Sequence, residues 1–128
     1  KVVSIGEAVT AVTQGCSVAI GGFLLHNKPS AFVRELVRTG VSDLHLYACP
    51  TSSYDADLLI GAGLVAETVI AMASFEYLGP APRFTTAMLS GAVEMVECDE
   101  VTIAGGLLRD ITESCGSSHR GDRVCWGW

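Results

Sequence analysis

Basic residues are scarce in this chain. The 128 residues include eight Lys and Arg against fourteen Asp and Glu, which gives a formal net charge of −6 at neutral pH. Binding of nucleic acid depends on Lys and Arg side chains that neutralise phosphates, and the sequence has no basic run that would supply them. The acidic residues are scattered, as is typical of a solvated surface. The composition therefore predicts no nucleic-acid partner.

Long apolar runs and paired cysteines are also missing. No stretch reaches the about 18 apolar residues that a membrane span requires, and no basic segment followed by an apolar core precedes the first helix. The five cysteines are dispersed, with no C-x-x-C pair and no zinc-like spacing to a histidine. Such a set favours a reducing compartment over a disulfide framework. We therefore expect a cytoplasmic protein with no membrane contact and no bound metal or cofactor.

Apolar residues, in contrast, make up 49% of the chain, enough to bury the core of one domain. Strand-like apolar runs alternate along the chain with segments of helical periodicity. Strands are predicted at 17–20, 44–48, 65–72 and 92–97, and helices at 4–14, 29–38, 54–61, 84–90 and 99–107. This alternation predicts an α/β fold, an open and mostly parallel sheet with helices on both faces.

The first predicted strand, 17–20, ends in Gly21, Gly22 and Phe23. Ligands of open α/β sheets bind beyond the carboxyl ends of the strands, and glycines let a substrate approach the backbone closely. We therefore expect these three residues to bind substrate; a tight turn with a core phenylalanine is the alternative. Lys28, just before the next helix, is a candidate contact for a phosphate or carboxylate, with a solvated surface lysine as the alternative.

Polar side chains come after the other predicted strands. Thr51 and Ser52 come after the second strand, where the edge of the sheet would place them beside the glycines or where they form an ordinary turn. Glu76 comes after the third strand and is a candidate acid at the mouth of the site. Glu100 comes after the fourth strand; its structural alternative is a first-turn residue behind Asp99, which is a natural N-cap.

Several segments of the sequence resemble the A subunit of family I coenzyme A transferases. The segment 14–29, QGCSVAIGGFLLHNKP, carries that family's three apolar residues, Gly-Gly-Phe and following Pro, with Gln14 in place of Asp or Asn and Asn27 in place of Gly. The segments 74–84 and 90–94 are similar to the middle of glutaconate-type A subunits, and so is 58–65. The non-glycine residue at Asn27 favours that branch over the succinyl/acetoacetyl branch.

The resemblance implies a covalent mechanism. A glutamate attacks the acyl-CoA thioester to give an acyl-glutamyl anhydride, and released CoA then forms a glutamyl-CoA thioester. In two-subunit members this glutamate lies on the B subunit, so this chain would need a B-subunit partner, with a CoA thioester and a carboxylic acid as substrates. Some relatives hydrolyse ring-containing CoA esters, and there a glutamate near the position of Glu100 takes part. The catalytic candidates of this chain are therefore Glu100 and Glu76, and an inactive pseudo-subunit is the third interpretation.

The pattern changes after Leu108. Residues 109–128 are polar and rich in Gly, Ser and Arg. The Ala-rich continuation and the Gly-x-Pro-Phe-x-Pro turn that the resemblance leads one to expect are missing. We therefore expect an α/β domain at 1–108 and an irregular tail at 109–128. A truncated or shifted reading frame is the leading explanation, and a naturally short homologue is the alternative.

Overall fold

A computed structural model describes residues 2–48, 51–106 and 125–127. They form one parallel sheet in which the strand order is β4-β3-β2-β1-β5. The strands are β1 Ser17–Ile20, β2 Leu44–Ala48, β3 Val65–Ile70, β4 Glu94–Glu97 and β5 Cys125–Gly127. The helices are α1 Ile5–Val9, α2 Ser30–Thr39, α3 Tyr54–Gly61, the short 3-10 helix Glu76–Leu78, α4 Pro82–Ser90 and α5 at 100–106. The predicted α/β fold with a parallel sheet is confirmed.

The core lies on one face of the sheet. Residues 18 and 20 of β1, 44, 46 and 48 of β2, and 68 and 70 of β3 are all nearly inaccessible to solvent. Side chains of a strand alternate between the two faces, so these positions share one face. The buried residues of α1 to α4 join the same cluster: Val9, Val33, Leu36, Ala56, Leu59, Ile60 and Phe84. Helices α1 to α4 therefore all cover this face of the sheet, and helices on the second face stay a prediction.

The first helix is shorter than predicted. The capping box of Ser4 and Glu7 starts α1 as the sequence indicates, but the helix ends at Val9 instead of continuing to residue 14. The amide of Val12 donates to the carbonyl of Val9 at 3.0 Å, a tightened turn that places the Val12 side chain in the core at 4% exposure. Burial of Val12 thus replaces further helical turns.

Other boundaries also differ from the sequence prediction, and β4 begins at Glu94 instead of residue 92. Strand β3 ends at Ile70 because Met72 and Ser74 bond to Ser52 instead: the Ser52 amide donates to the Met72 carbonyl, and the Ser74 amide donates to the Ser52 carbonyl, both at 3.0 Å. Helix α4 begins at Pro82, two residues early, because proline suits the first helical turn. The two hydrogen bonds of Ser52 join the loop after β2 to the loop after β3.

The predicted tail at 109–128 falls mostly outside the described residues. Within it, residues 125–127 form β5, which pairs in parallel with β1. The edge of β1 offers unpaired backbone N–H and C=O groups, and a strand that joins it satisfies them. Within the described ranges, no helix is long and apolar enough to cross a membrane.

Candidate active site

The loop after β1 is a narrow turn built on glycine. Gly22 has a φ of 91°, and a Cβ placed there would lie 2.6 Å from the backbone oxygen of Asn27. Phe23 and His26 exchange two backbone hydrogen bonds, of 3.0 and 2.7 Å, that close the turn. Glycine is thus required at position 22, whereas the space around Gly21 is open. We call residues 21–28 the Gly-Gly-Phe loop.

Phe23 and Lys28 of the Gly-Gly-Phe loop are neither a core phenylalanine nor a solvated surface lysine. Phe23 is 54% exposed, so it is not a core residue and is free to contact a ligand or partner. Lys28 is half-buried, and its Nζ donates to the carbonyl of Gly22 at 3.2 Å. Lys28 is therefore not simply a solvated surface lysine, because its ammonium group braces the loop beside the glycines.

The loop after β2 lies directly against the Gly-Gly-Phe loop. Thr51, Ser52 and Ser53 are all buried. The Leu24 amide donates to the Thr51 carbonyl at 3.2 Å, and the Ser53 hydroxyl donates to the Leu24 carbonyl. The Ser52 hydroxyl is buried and has no hydrogen-bond partner within the described residues. As predicted for a parallel sheet, these hydroxyl residues sit beside the glycines.

The loop after β4 brings Glu100 to the same region. The Thr51 hydroxyl donates to Oε1 of Glu100 across 49 positions of sequence. Glu100 also lines an open cleft of about 560 Å³ between the ends of β3 and β4. The lining residues are Ile70, Ala71, Met95, Glu97, Cys98, Asp99 and Glu100. Glu100 therefore lines an exposed cleft and is hydrogen-bonded to the hydroxyl of the buried Thr51.

Asp99 has the capping role that the sequence predicts. Its Oδ1 accepts from the amides of Val101 and Thr102 at 2.9 and 3.0 Å, and its Oδ2 accepts from the Thr102 hydroxyl at 2.6 Å. Hydrogen bonds from the Thr102 side chain and amide lower the pKa of Asp99. Asp99 thus holds the start of α5, and Glu100 is the acid of this junction that is bonded to the buried loop after β2.

Glu76 lies beside the Gly-Gly-Phe loop rather than beside Thr51. Its Oε1 is 3.8 Å from Nε2 of His26, and that oxygen is buried without a hydrogen-bond donor in the described part of the chain. The backbone of Glu76 has a φ of 57°, in the left-handed region that an L residue rarely adopts. Strain of this kind accumulates at functional sites.

Asp55 is a buried acid that the sequence analysis does not single out. It is fully inaccessible in the first turn of α3, and its Oδ1 accepts from the Ser30 hydroxyl at 3.0 Å. Burial raises the pKa of Asp55, while the Ser30 hydrogen bond and the charges of Lys28 and Arg34 act in the opposite direction. An acid at the start of a helix is normally exposed, so no sequence signal separates Asp55 from an ordinary first-turn carboxylate.

The polar groups gather at the carboxyl ends of β1 to β4, where an open α/β sheet binds its ligands. Among the described residues, no group of three or more His, Cys, Asp or Glu side chains is arranged to hold a metal ion. Open space at the backbone of Gly21 and the ammonium group of Lys28 thus lie in one loop, with the carboxylates of Glu76 and Glu100 on the neighbouring loops.

Comparison with known proteins agrees with the resemblance seen in segment 14–29. The coenzyme A transferase family profile matches residues 2–110. The cholesterol ring-cleaving hydrolase IpdA subunit of Mycobacterium tuberculosis is 34% identical over 112 residues, which cover 84% of this chain and 36% of that protein. The chain thus spans between about a third and a half of the length of the curated relatives it matches.

Two solved structures share this fold. Glutaconate coenzyme A-transferase from Acidaminococcus fermentans superposes with a TM-score of 0.75 at 28% identity, over 80% of this chain and 33% of that one. A variant of the decarboxylase AibA/AibB superposes with a TM-score of 0.71 at 34% identity, over 76% of this chain and 38% of that one. The chain belongs to the coenzyme A transferase family.

Proposed function

We propose that this chain is part of the A subunit of a CoA-transferase that exchanges CoA between an acyl-CoA and a carboxylic acid in the cytoplasm. Gly21, Gly22 and Phe23 would receive the acyl thioester, with Lys28 and Ser52 at the edges of that site. The observation that carries the proposal is the hydrogen-bonded contact of the loops after β1, β2 and β4, which unites the Gly-Gly-Phe loop, Thr51 and Glu100.

A partner B subunit would supply the nucleophilic glutamate. Its carboxylate attacks the thioester carbonyl, the C–S bond breaks, and CoA leaves as a thiolate while an acyl-glutamyl anhydride forms. The thiolate then attacks the glutamyl carbonyl of the anhydride, which releases the first acid as a carboxylate and leaves a glutamyl-CoA thioester. The same steps in reverse, with a second carboxylate, form the new acyl-CoA. This chain contributes binding and orientation, to which the open space around Gly21 is suited.

Hydrolysis of a CoA ester is the second candidate, and one observation favours it. Glu100 lines the cleft and is held by the Thr51 hydroxyl, which is the arrangement expected of a carboxylate that acts as a base on water. The 34% identity to a ring-cleaving hydrolase subunit points the same way. In this reaction water adds to the acyl or ring carbonyl as its proton passes to Glu100. The C–S or C–C bond then breaks, and the proton returns to the thiolate or carbanion that leaves. Glu76 would serve as a second acid at the mouth.

One experiment separates the two reactions. The chain, expressed in its host, is purified with whatever partner it retains and is given an acyl-CoA together with an isotopically labelled free acid. Label in a new CoA ester establishes the transferase. Ring opening or free CoA, with no labelled ester, establishes the hydrolase. A complex that turns over neither way, with acyl-CoAs of several chain lengths, contradicts both reactions and leaves the inactive pseudo-subunit.

The variant Glu100→Gln sharpens this test. In the hydrolase, loss of the Glu100 base lowers kcat by about 100-fold or more, because positioned general bases contribute that much. In the transferase, the partner's glutamate carries the covalent step and Glu100→Gln keeps most of the activity. Glu97→Gln is the matched control, since Glu97 lines the same cleft at an exposed position.

A further inference from the structure

We propose that Thr51 is a positioning residue that orients Glu100, and that it does not contact the substrate. This assignment deepens the second candidate function, hydrolysis of a CoA ester with Glu100 as the base, and rests on it. It differs from the sequence prediction, which places Thr51 among the substrate-binding residues. The two roles make opposite predictions about KM and kcat, so they can be separated by experiment.

Thr51 is buried, and its hydroxyl is already hydrogen-bonded. Thr51 is 4% exposed although it lies in a loop, and its hydroxyl donates to Oε1 of Glu100. A hydroxyl group has a single proton to donate. Because that proton is already in the hydrogen bond to Glu100, the Thr51 hydroxyl cannot also donate to a substrate carbonyl.

The backbone of Thr51 is itself fixed on both sides. Its carbonyl accepts from the Leu24 amide at 3.2 Å, and the next residue, Ser52, bonds to Met72 and Ser74 of the neighbouring loop at 3.0 Å each. Thr51 is therefore held by the Gly-Gly-Phe loop and by the loop after β3. Through Thr51, the position of Glu100 is tied to the loop that would hold the thioester.

Glu100 requires such an anchor. It is an exposed residue in the first turn of α5, where a glutamate side chain has several accessible rotamers. One hydrogen bond from a buried, immobile hydroxyl selects among them and leaves Oε2 for the reaction. Of the acids that line the cleft, Asp99 is committed to the helix start, and Glu97 is an exposed residue at the end of β4. Of these acids, Glu100 is the one that lines the cleft and also accepts a hydrogen bond from the buried Thr51.

The test compares Thr51→Val with Thr51→Ser in the purified complex. Valine has the shape of threonine but no hydroxyl, and serine restores the hydroxyl. We expect Thr51→Val to lower kcat for hydrolysis by about 10-fold or more, as for a lost hydrogen bond to a charged group, and to change KM less than about twofold. Thr51→Ser should recover most of kcat. Added to Glu100→Gln, Thr51→Val should cause no further loss, because both act through one group.

Other outcomes overturn the assignment in distinguishable ways. A raised KM with unchanged kcat in Thr51→Val means that Thr51 binds substrate. A wild-type complex that transfers CoA while Glu100→Gln is fully active refutes the positioning role and leaves the transferase intact. A wild-type complex that neither transfers nor hydrolyses refutes the proposed function and this role with it. Should Thr51→Val not fold, Thr51→Cys, whose thiol donates only weakly, is expected to give the same fall in kcat; an unchanged kcat there also refutes the role.

Discussion

Nε2 of His26 lies 3.8 Å from Oε1 of Glu76. The loop after β3 therefore comes close to the loop after β1, although β2 lies between these two strands in the sheet. Both residues are held by their own turns. His26 exchanges two backbone hydrogen bonds with Phe23, and the Phe75 amide donates to the Gly79 carbonyl at 2.8 Å. Two fixed loops thus present an imidazole and a carboxylate to the same edge of the sheet.

The strained backbone of Glu76 leads to the first prediction. We expect Glu76→Gly to stabilise the chain by about 0.5–1 kcal/mol, because relief of a left-handed L residue is worth about 1–2 kcal/mol and the added flexibility of glycine offsets part of it. The same variant should lose turnover, since strain is tolerated where a side chain is needed. Urea unfolding and steady-state kinetics of the complex measure the two effects.

Glu76→Gln is the control for this pair of effects. It keeps the strained backbone and removes only the charge that faces His26, so its stability should stay close to that of the wild type while its turnover falls. If Glu76→Gly is fully active, Glu76 is not part of the catalytic site, whatever its effect on stability.

The two glycines of the Gly-Gly-Phe loop give a matched second prediction. A Cβ at position 22 meets the backbone oxygens of Asn27 and His26 at 2.6 and 2.8 Å, whereas one at position 21 meets nothing within 4 Å. Gly22→Ala should therefore cost about 2 kcal/mol or more in unfolding free energy, because backbone must move and φ is positive. Thermal unfolding of Gly22→Ala and Gly21→Ala checks this difference.

Gly21→Ala reports on the ligand instead. Its stability should be unchanged, and its KM for acyl-CoA should rise by about 10-fold if the thioester approaches the backbone there. An unchanged KM in Gly21→Ala would mean that the substrate binds elsewhere along the strand ends.

Chain order alone predicts much of this site. Gly21, Thr51, Glu76 and Glu100 each come after a different predicted strand, and the carboxyl ends of parallel strands meet at one edge of the sheet. Sequence alone therefore predicts the neighbourhood of these residues. It does not predict which of them touch, because the bond between Thr51 and Glu100 depends on loop conformations 49 positions apart. It also misses the buried state of Asp55, since local periodicity does not reveal what packs above a helix start.

Asp57 provides a third prediction, on stability alone. It is fully buried on α3, and its Oδ1 accepts from the amides of Arg83 and Phe84 at 2.8 and 2.9 Å, so that it caps the start of α4 from a different helix. Asp57→Ala should cost about 3 kcal/mol, because the buried Phe84 amide and the part-buried Arg83 amide lose a charged acceptor. Urea unfolding measures the loss.

The ion pair of Asp57 with Arg83 contributes much less than these amide bonds. Nη1 of Arg83 is 3.4 Å from Oδ2 of Asp57, and the arginine side chain is 55% exposed. Arg83→Gln should therefore cost less than about 1 kcal/mol, as is usual for a pair open to solvent. Equal losses in Arg83→Gln and Asp57→Ala would show that the ion pair, and not the helix cap, is the stabilising contact.

The raised pKa of Asp55 gives a prediction about pH. When burial raises the pKa of an acid in the folded state, the folded chain holds that proton more tightly than the unfolded chain does. This contribution to stability therefore falls as pH rises through the interval between the unfolded and folded pKa values, and the cost is complete once pH exceeds both. Asp55→Asn keeps an oxygen for Ser30 without a charge. It should be more stable than the wild type at pH 7, with a difference that shrinks toward the ordinary aspartate pKa of 3.8.

Asp99→Asn is the control of opposite sign. Hydrogen bonds from Thr102 lower the pKa of Asp99, so its contribution is present at neutral pH and lost as pH falls through the folded value. Urea midpoints of wild type, Asp55→Asn and Asp99→Asn should be followed from about pH 2.5 to pH 8. As pH falls below the ordinary aspartate pKa of 3.8, Asp99→Asn should lose its deficit relative to the wild type, whereas as pH rises above that value Asp55→Asn should gain its advantage. If Asp55→Asn is instead less stable than the wild type at pH 7, with a deficit that shrinks as pH falls, Lys28 and Arg34 outweigh burial, and Asp55 is a charged anchor beside the Gly-Gly-Phe loop.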